Sequence, residues 1–165
     1  MGKIIKTLDN RRMFINTLNE LAETDPNIIV LIPDVGFAYL DDPNNKFRVI
    51  NLGVAEQTAT LIASGLALSG FKVYLYTMIN FVLFRPLEMV RNAIVCHNAN
   101  VTLIGVKGSS AYRFLGFSHN LLHEKEDINA CKNIGLKSFV PKTTSQVRDI
   151  ILSNYKNKEA IYIRL

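Results

Sequence analysis

Cysteine, long apolar runs and blocks of like charge are all scarce in this sequence of 165 residues. Its two cysteines, Cys96 and Cys131, are too few for a disulfide scaffold and stand in no CxxC spacing. No apolar stretch approaches the ~20 residues of a membrane-spanning helix. The opening MGKIIKTLDNRRMF has no apolar core of signal-peptide length, and Lys6 stands where N-myristoylation of Gly2 would need Ser or Thr. Basic residues outnumber acidic ones, 19 to 14, but they are scattered, and the longest basic run is Arg11-Arg12. Aromatics do not interleave with a basic stripe, so the excess of charge suits anionic metabolites or an acidic partner rather than nucleic acid. Linkers, repeats, low-complexity segments, a P-loop and a nucleophile elbow are all missing. An apolar content of 48% with 20% charged residues excludes a disordered chain. The expectation is one folded, soluble, cytoplasmic domain spanning 1–165.

Short β-branched runs at 28–32, 47–50, 72–77, 101–105, 137–140 and 160–164 predict strands. Most are continuously apolar, the pattern of strands covered on both faces. Helices are predicted between them at 9–23, 54–69, 85–98, 126–134 and 144–157. Met13, Thr17, Leu18, Leu21 and Ala22 give the first its apolar stripe. Leu61, Ile62, Gly65, Leu66 and Ala67 make the second apolar almost all round, which predicts a central helix. Pro86 suits a first helical turn, and Thr143 to Ser145 offer N-caps for the last helix. Strands alternating with helices predict an α/β domain on a parallel sheet. In such sheets the binding crevice lies off the carboxyl ends of the strands. Asp34, 51–56, 77–84 and 107–119 all follow strands, so four segments rich in polar and aromatic residues converge on one edge. The longest irregular stretch, 107–125, is of a length that usually carries function.

Glu56 lies in NLGVAEQ, where Gly53 permits a tight turn ahead of an apolar helix. Two readings stay open on pattern alone. The carboxylate caps nearby backbone amides, or it is a desolvated group able to hold or share a proton near neutral pH. Met78, Phe81 and Phe84 recur every three residues, which spacing alone reads as core, although past a strand end a flat ring can stack on a ligand. His119 and His123 are four apart, but Asn120 stands where a metalloprotease helix needs Glu. His97 reads as a helix-end or core histidine, and Cys96 and Cys131 as buried and inert.

Taken together, NLGVAEQ at 51–57, IPD at 32–34, ASGLALSGFKVYLYT, NFVLF, GFSHN at 116–120, EDI at 126–128 and the closing YIRL resemble the pyrimidine-binding domain of transketolase-like, thiamine diphosphate-dependent enzymes. The segments occur in the family's order along nearly the whole chain. The resemblance implies a three-layer α/β/α fold on a mostly parallel six-stranded sheet. It implies that Glu56 hydrogen-bonds the aminopyrimidine ring nitrogen, which favours the imino tautomer and so the thiazolium ylide. It implies further that Phe81 stacks on the pyrimidine with Met78 and Phe84 around it, that Asp34, Gly53 and Val54 lie beside the cofactor, and that His119 reaches a substrate oxygen.

The chain departs from the family in ways that carry their own implications. It has no GDG motif, so the resemblance implies a separate partner subunit that carries the diphosphate half of the cofactor and its Mg²⁺ or Ca²⁺. This chain would pair with itself inside a heterotetramer. Leu115 falls where transketolases place an Asp that binds a donor hydroxyl, and Lys107 where they place a His, so substrate recognition is expected to differ from the usual pentulose phosphates. Met78 replaces a common aromatic. The implied activity is transfer of a two-carbon ketol or acyl unit through a thiamine-bound carbanion. Alternatives are a two-subunit 2-oxo acid decarboxylase, an acyloin condensation of the deoxyxylulose phosphate synthase kind (whose Arg three after the stacking Phe is here Phe84), and a non-catalytic assembly subunit.

Overall fold

The computed structural model describes residues 9–34, 40–108 and 110–165. The opening segment, as far as position 8, lies outside the described residues. Strands β1 (Ile28–Ile32), β2 (Arg48–Asn51), β3 (Lys72–Met78), β4 (Val101–Val106), β5 (Lys137–Phe139) and β6 (Ile161–Arg164) form one sheet in the order β2-β1-β3-β4-β6-β5. Every pairing is parallel. The six strands fall where the β-branched runs predict them.

Side chains alternate across each strand, so a continuously apolar strand feeds two cores. Ile29, Leu31, Val73, Leu75, Val101 and Leu103 point to one face. There they meet α2 (Glu56–Leu68) through Ala59 and Ala63, α4 (Glu126–Asn133) through Cys131, and the irregular helical segment α3 (80–95) through Val90 and Ile94. Ile28, Val30, Ile32, Tyr74, Tyr76 and Ile104 point to the other face. They pack on Phe14 and Leu18 of α1 (Asn10–Ala22) and on Val147 and Ile151 of α5 (Thr144–Asn157). Full burial of each such aliphatic side chain contributes about 1.5–3 kcal/mol. The result is the three-layer α/β/α architecture.

Side-chain caps open two helices, the second among the Thr143 to Ser145 candidates. Asp9 accepts a hydrogen bond from the Arg12 amide at 2.8 Å, and Thr143 accepts one from the Gln146 amide at 3.3 Å. Elsewhere the structure corrects the sequence reading. The edge strand β2 is largely exposed rather than covered on both faces. α2 is not central, because it buries Ala59, Thr60, Ala63 and Ser64 but leaves Leu61, Ile62 and Leu68 in solvent.

The helix expected at 85–98 is instead Asn80–Phe84, Leu87–Met89 and Val90–Val95, together α3. Its first and last parts are π-type turns, in which the Arg85 amide bonds the Asn80 carbonyl and the Cys96 amide bonds that of Arg91. Such turns are frequent at functional sites. They also shift the helical phase, so Cys96 is exposed, whereas Cys131 is buried as predicted. His97 is exposed too, with Nδ1 2.7 Å from the Asn92 carbonyl. Within 107–125, Ser110–Ser118 forms 3₁₀ turns with a break at Gly116.

Candidate functional site

Parallel register brings the carboxyl ends of β1 to β4 to one edge, with Ile32 opposite Asn51 and Thr77 opposite Gly105. Asn51 organises two of the loops that follow. Its Oδ1 accepts from the Asp34 amide at 3.2 Å and from the Gly53 amide at 2.9 Å. Both residues are in the left-handed region, Asp34 at φ 65° and Gly53 at φ 69°. Glycine reaches that region freely, and Asp is among the few other residues that tolerate it. The Ala55 amide then bonds the Gly53 carbonyl at 2.8 Å, and this tight turn delivers Glu56 as the first residue of α2.

The Glu56 side chain is 11% exposed, and its Oε1 accepts from Arg85 Nη1 at 2.5 Å. Arg85 also lies over the Phe81 ring, 3.9 Å from its centroid. These two residues are four apart on a widened helical turn, which brings one nearly above the other. Phe81 is 5% exposed, and the His119 ring meets it edge-on at 5.0 Å and 77°. The core reading that spacing suggests for this position holds as far as burial goes, although the ring also carries the Arg85 contact. Met78 is buried and Phe84 half-buried.

His119 is held from three sides. Asn80 Nδ2 donates to the Phe117 carbonyl at 2.8 Å, tying the 3₁₀ segment to α3. Asn120 Nδ2 donates to the carbonyls of Tyr112 and Gly116, closing that segment on itself. Gly108 backs onto it so tightly that a Cβ there would stand 2.8 Å from the His119 carbonyl oxygen. Ser118 Oγ donates to the Leu115 carbonyl at 2.8 Å and lies 2.7 Å from His119 Nδ1. The Asn80 Oδ1 atom is buried without a hydrogen-bond partner among the described residues.

Glu56, Phe81, Arg85 and His119 thus form one chain of contacts at the sheet's carboxyl edge. Asp34 and Val54 lie exposed beside it, Val54 at 71%. Leu115 is half-buried. Lys107 is engaged elsewhere: its Nζ bonds Glu124 Oε2 at 2.5 Å and holds that carboxyl below its ordinary range. Among the described residues no group of three His, Cys, Asp or Glu is arranged to hold a metal ion. Nor is any described helix long and apolar enough to cross a membrane. Arg85 is a site residue that the motifs do not single out, although its position four after Phe81 in a helical stretch is the available signal.

The family described as the pyrimidine-binding domain of transketolase matches residues 6–165. A protein of Phocaeicola vulgatus, named as a subunit of apulose-4-phosphate transketolase, is 33% identical over 159 residues, covering 94% of this chain and 50% of its own. Its namesake in Actinobacillus succinogenes is 31% identical over 119 residues, covering 72% and 37%. A solved structure described as a split-gene transketolase in an inactive β4 tetramer superposes with a TM-score of 0.77 at 26% identity, covering 94% of this chain and 50% of that one. The chain spans about half the length or less of these relatives.

Proposed function

This chain belongs to the family of transketolase pyrimidine-binding domains, and from that premise we propose that residues 1–165 act as the pyrimidine-binding subunit of a two-subunit, thiamine diphosphate-dependent transketolase-like enzyme. One observation carries the reading. A sheltered carboxyl group, Glu56, and the face of a buried ring, Phe81, are both engaged by one flat, N–H-bearing group, the Arg85 guanidinium. A seat that takes a flat N–H donor against a carboxylate and a ring face suits an aminopyrimidine in its protonated or imino form, whose ring N–H would donate to Glu56.

Thiamine diphosphate, when bound, supplies the electron sink for breaking and remaking a carbon–carbon bond beside a carbonyl. Glu56 Oε holds the proton shared with the pyrimidine ring nitrogen. Phe81 orients the ring by stacking and, with Met78 and Phe84, keeps water away. Asp34, Gly53 and Val54 border the same seat. In its neutral form His119 presents Nε2 as an acceptor for a substrate hydroxyl, because Nδ1 faces Ser118.

Mg²⁺ or Ca²⁺ and the diphosphate belong to a separate subunit of the transketolase amino-terminal type. Exposed Val54, Leu61, Ile62 and Leu68, and separately Phe114 and Phe117, support an interface with a partner, in this reading within a heterotetramer. The all-round apolar pattern of α2 then has a cause, one face for the sheet and one for a partner. Leu115 in place of a hydroxyl-binding carboxylate, together with relatives named for apulose-4-phosphate, supports a donor other than the usual pentulose phosphates.

Calorimetry with thiamine diphosphate and Mg²⁺ tests the proposal, on this chain alone and with its diphosphate-binding partner. Binding by the complex that is weak or missing in the chain alone is the expected result. Tight, metal-dependent binding to the chain alone would refute the division of the site, and no binding to either would refute the assignment.

A further inference from the structure

We propose that Arg85 is a placeholder: in the subunit without cofactor its guanidinium fills the aminopyrimidine seat, and it must leave for the cofactor to enter. The inference rests on the reading of Glu56 and Phe81 as that seat. Both contacts the seat offers are already taken by one side chain. Arg85 Nη1 donates to Glu56 Oε1 at 2.5 Å, and the same guanidinium lies 3.9 Å from the Phe81 ring centroid. A stacked, hydrogen-bonded ring and a stacked, hydrogen-bonded guanidinium cannot share one ring face and one carboxylate oxygen.

The physical logic of such a device is clear. Glu56 and Phe81 are nearly buried, and an unpartnered carboxylate at the mouth of an unassembled site would be costly. Arg85 is well suited to wait there, since it is flat, carries several donors and stacks on aromatic faces. Its own side chain is 42% exposed, so a path outward is open to it. A seat filled by Arg85 in about nine molecules of ten would raise the apparent dissociation constant of the cofactor about tenfold.

The test is the apparent affinity of the assembled complex for thiamine diphosphate at fixed Mg²⁺, in the wild type and in Arg85→Ala and Arg85→Lys. Lys keeps the charge but cannot stack flat or fork. Both variants should bind about five- to tenfold tighter if the placeholder is real. Affinity in both that is unchanged or weaker overturns it. Comparing Arg85→Ala with Arg85→Ala/Glu56→Ala isolates the carboxyl group's own contact, because Arg85 is gone from both and Ala cannot hydrogen-bond the ring. Equal affinity there, or no binding by the wild-type complex, sinks the reading of the seat itself and the placeholder with it.

A second readout needs no cofactor. In the full chain the Arg85 Hδ resonances should be shifted upfield by the Phe81 ring and return to ordinary positions in Phe81→Leu. Unshifted signals in the wild type overturn the proposal directly.

Discussion

Ser118 Oγ lies 2.7 Å from His119 Nδ1, and because that hydroxyl gives its one proton to the Leu115 carbonyl, the ring nitrogen is the donor. In the neutral ring this leaves Nε2 unprotonated and able to accept. Ser118→Ala removes the acceptor that selects this tautomer. Nitrogen-15 spectra should show His119 with its proton on Nδ1 in the wild type and a mixture in the variant. Turnover of the assembled enzyme should fall about two- to tenfold, the worth of one hydrogen bond. A wild-type ring protonated on Nε2 would refute the orientation.

Glu56→Gln separates a catalytic subunit from a structural one. The substitution keeps size and shape but removes the group that holds a proton, so turnover should fall at least about 100-fold. The ion pair with Arg85 is lost as well, but Arg85 is 42% exposed and screened by solvent, and Gln still accepts a hydrogen bond from it, so the thermal midpoint should move little. Unchanged turnover would favour the non-catalytic alternative.

The layers and the sheet were legible because they follow from local chemistry. A run such as IIVLI is apolar without alternation because Ile29 and Leu31 serve one core while Ile28, Val30 and Ile32 serve the other. The turn before Glu56 was legible from Gly53. The Glu56–Arg85 pair was not, because its members are 29 residues apart and meet only once β3 is laid beside β1. Cys96 was misplaced for a different reason: two π-type turns advance the helical phase, and nothing in a 3.6-residue pattern announces them. Lys107 was read from the resemblance alone, and its partner Glu124 could be found only in three dimensions.

Gly108→Ala should damage the site more than the fold. The new methyl would stand 2.8 Å from the His119 carbonyl oxygen and 2.9 Å from Asn120 Oδ1, closer than real contacts allow. The 119–120 backbone must then move, taking the imidazole off the edge of Phe81. Denaturant unfolding should show a loss of about 1–3 kcal/mol, and turnover should fall further than that loss explains. Wild-type turnover in a destabilised variant would mean that His119 has no part in the reaction.

Alkaline conditions should destabilise the chain from its core outward. Burial, reinforced by the neighbouring Asp127 charge, pushes the Cys131 thiol from its ordinary 9.0 up to about 12. Tyr162 is raised for the same two reasons, and its hydroxyl donates to Asp127 Oδ2 at 2.8 Å. Burial raises Tyr74 as well. Each group keeps its proton when folded and loses it at an ordinary value when unfolded, so the unfolded state binds fewer protons at high pH. The stabilisation is therefore complete below about pH 9, lost for Cys131 as pH rises from 9 to 12, and lost for the tyrosines above 10. The urea midpoint should fall steadily between these limits, and less steeply in Cys131→Ala. Tyr162→Phe should flatten the fall too, but at a cost of about 1–3 kcal/mol at neutral pH, because buried Asp127 Oδ2 loses its donor while Arg164 still serves Oδ1. A midpoint independent of pH up to 11 would mean that these groups titrate alike in both states, and the buried Asp127–Tyr162 pair would then be a contact without thermodynamic weight.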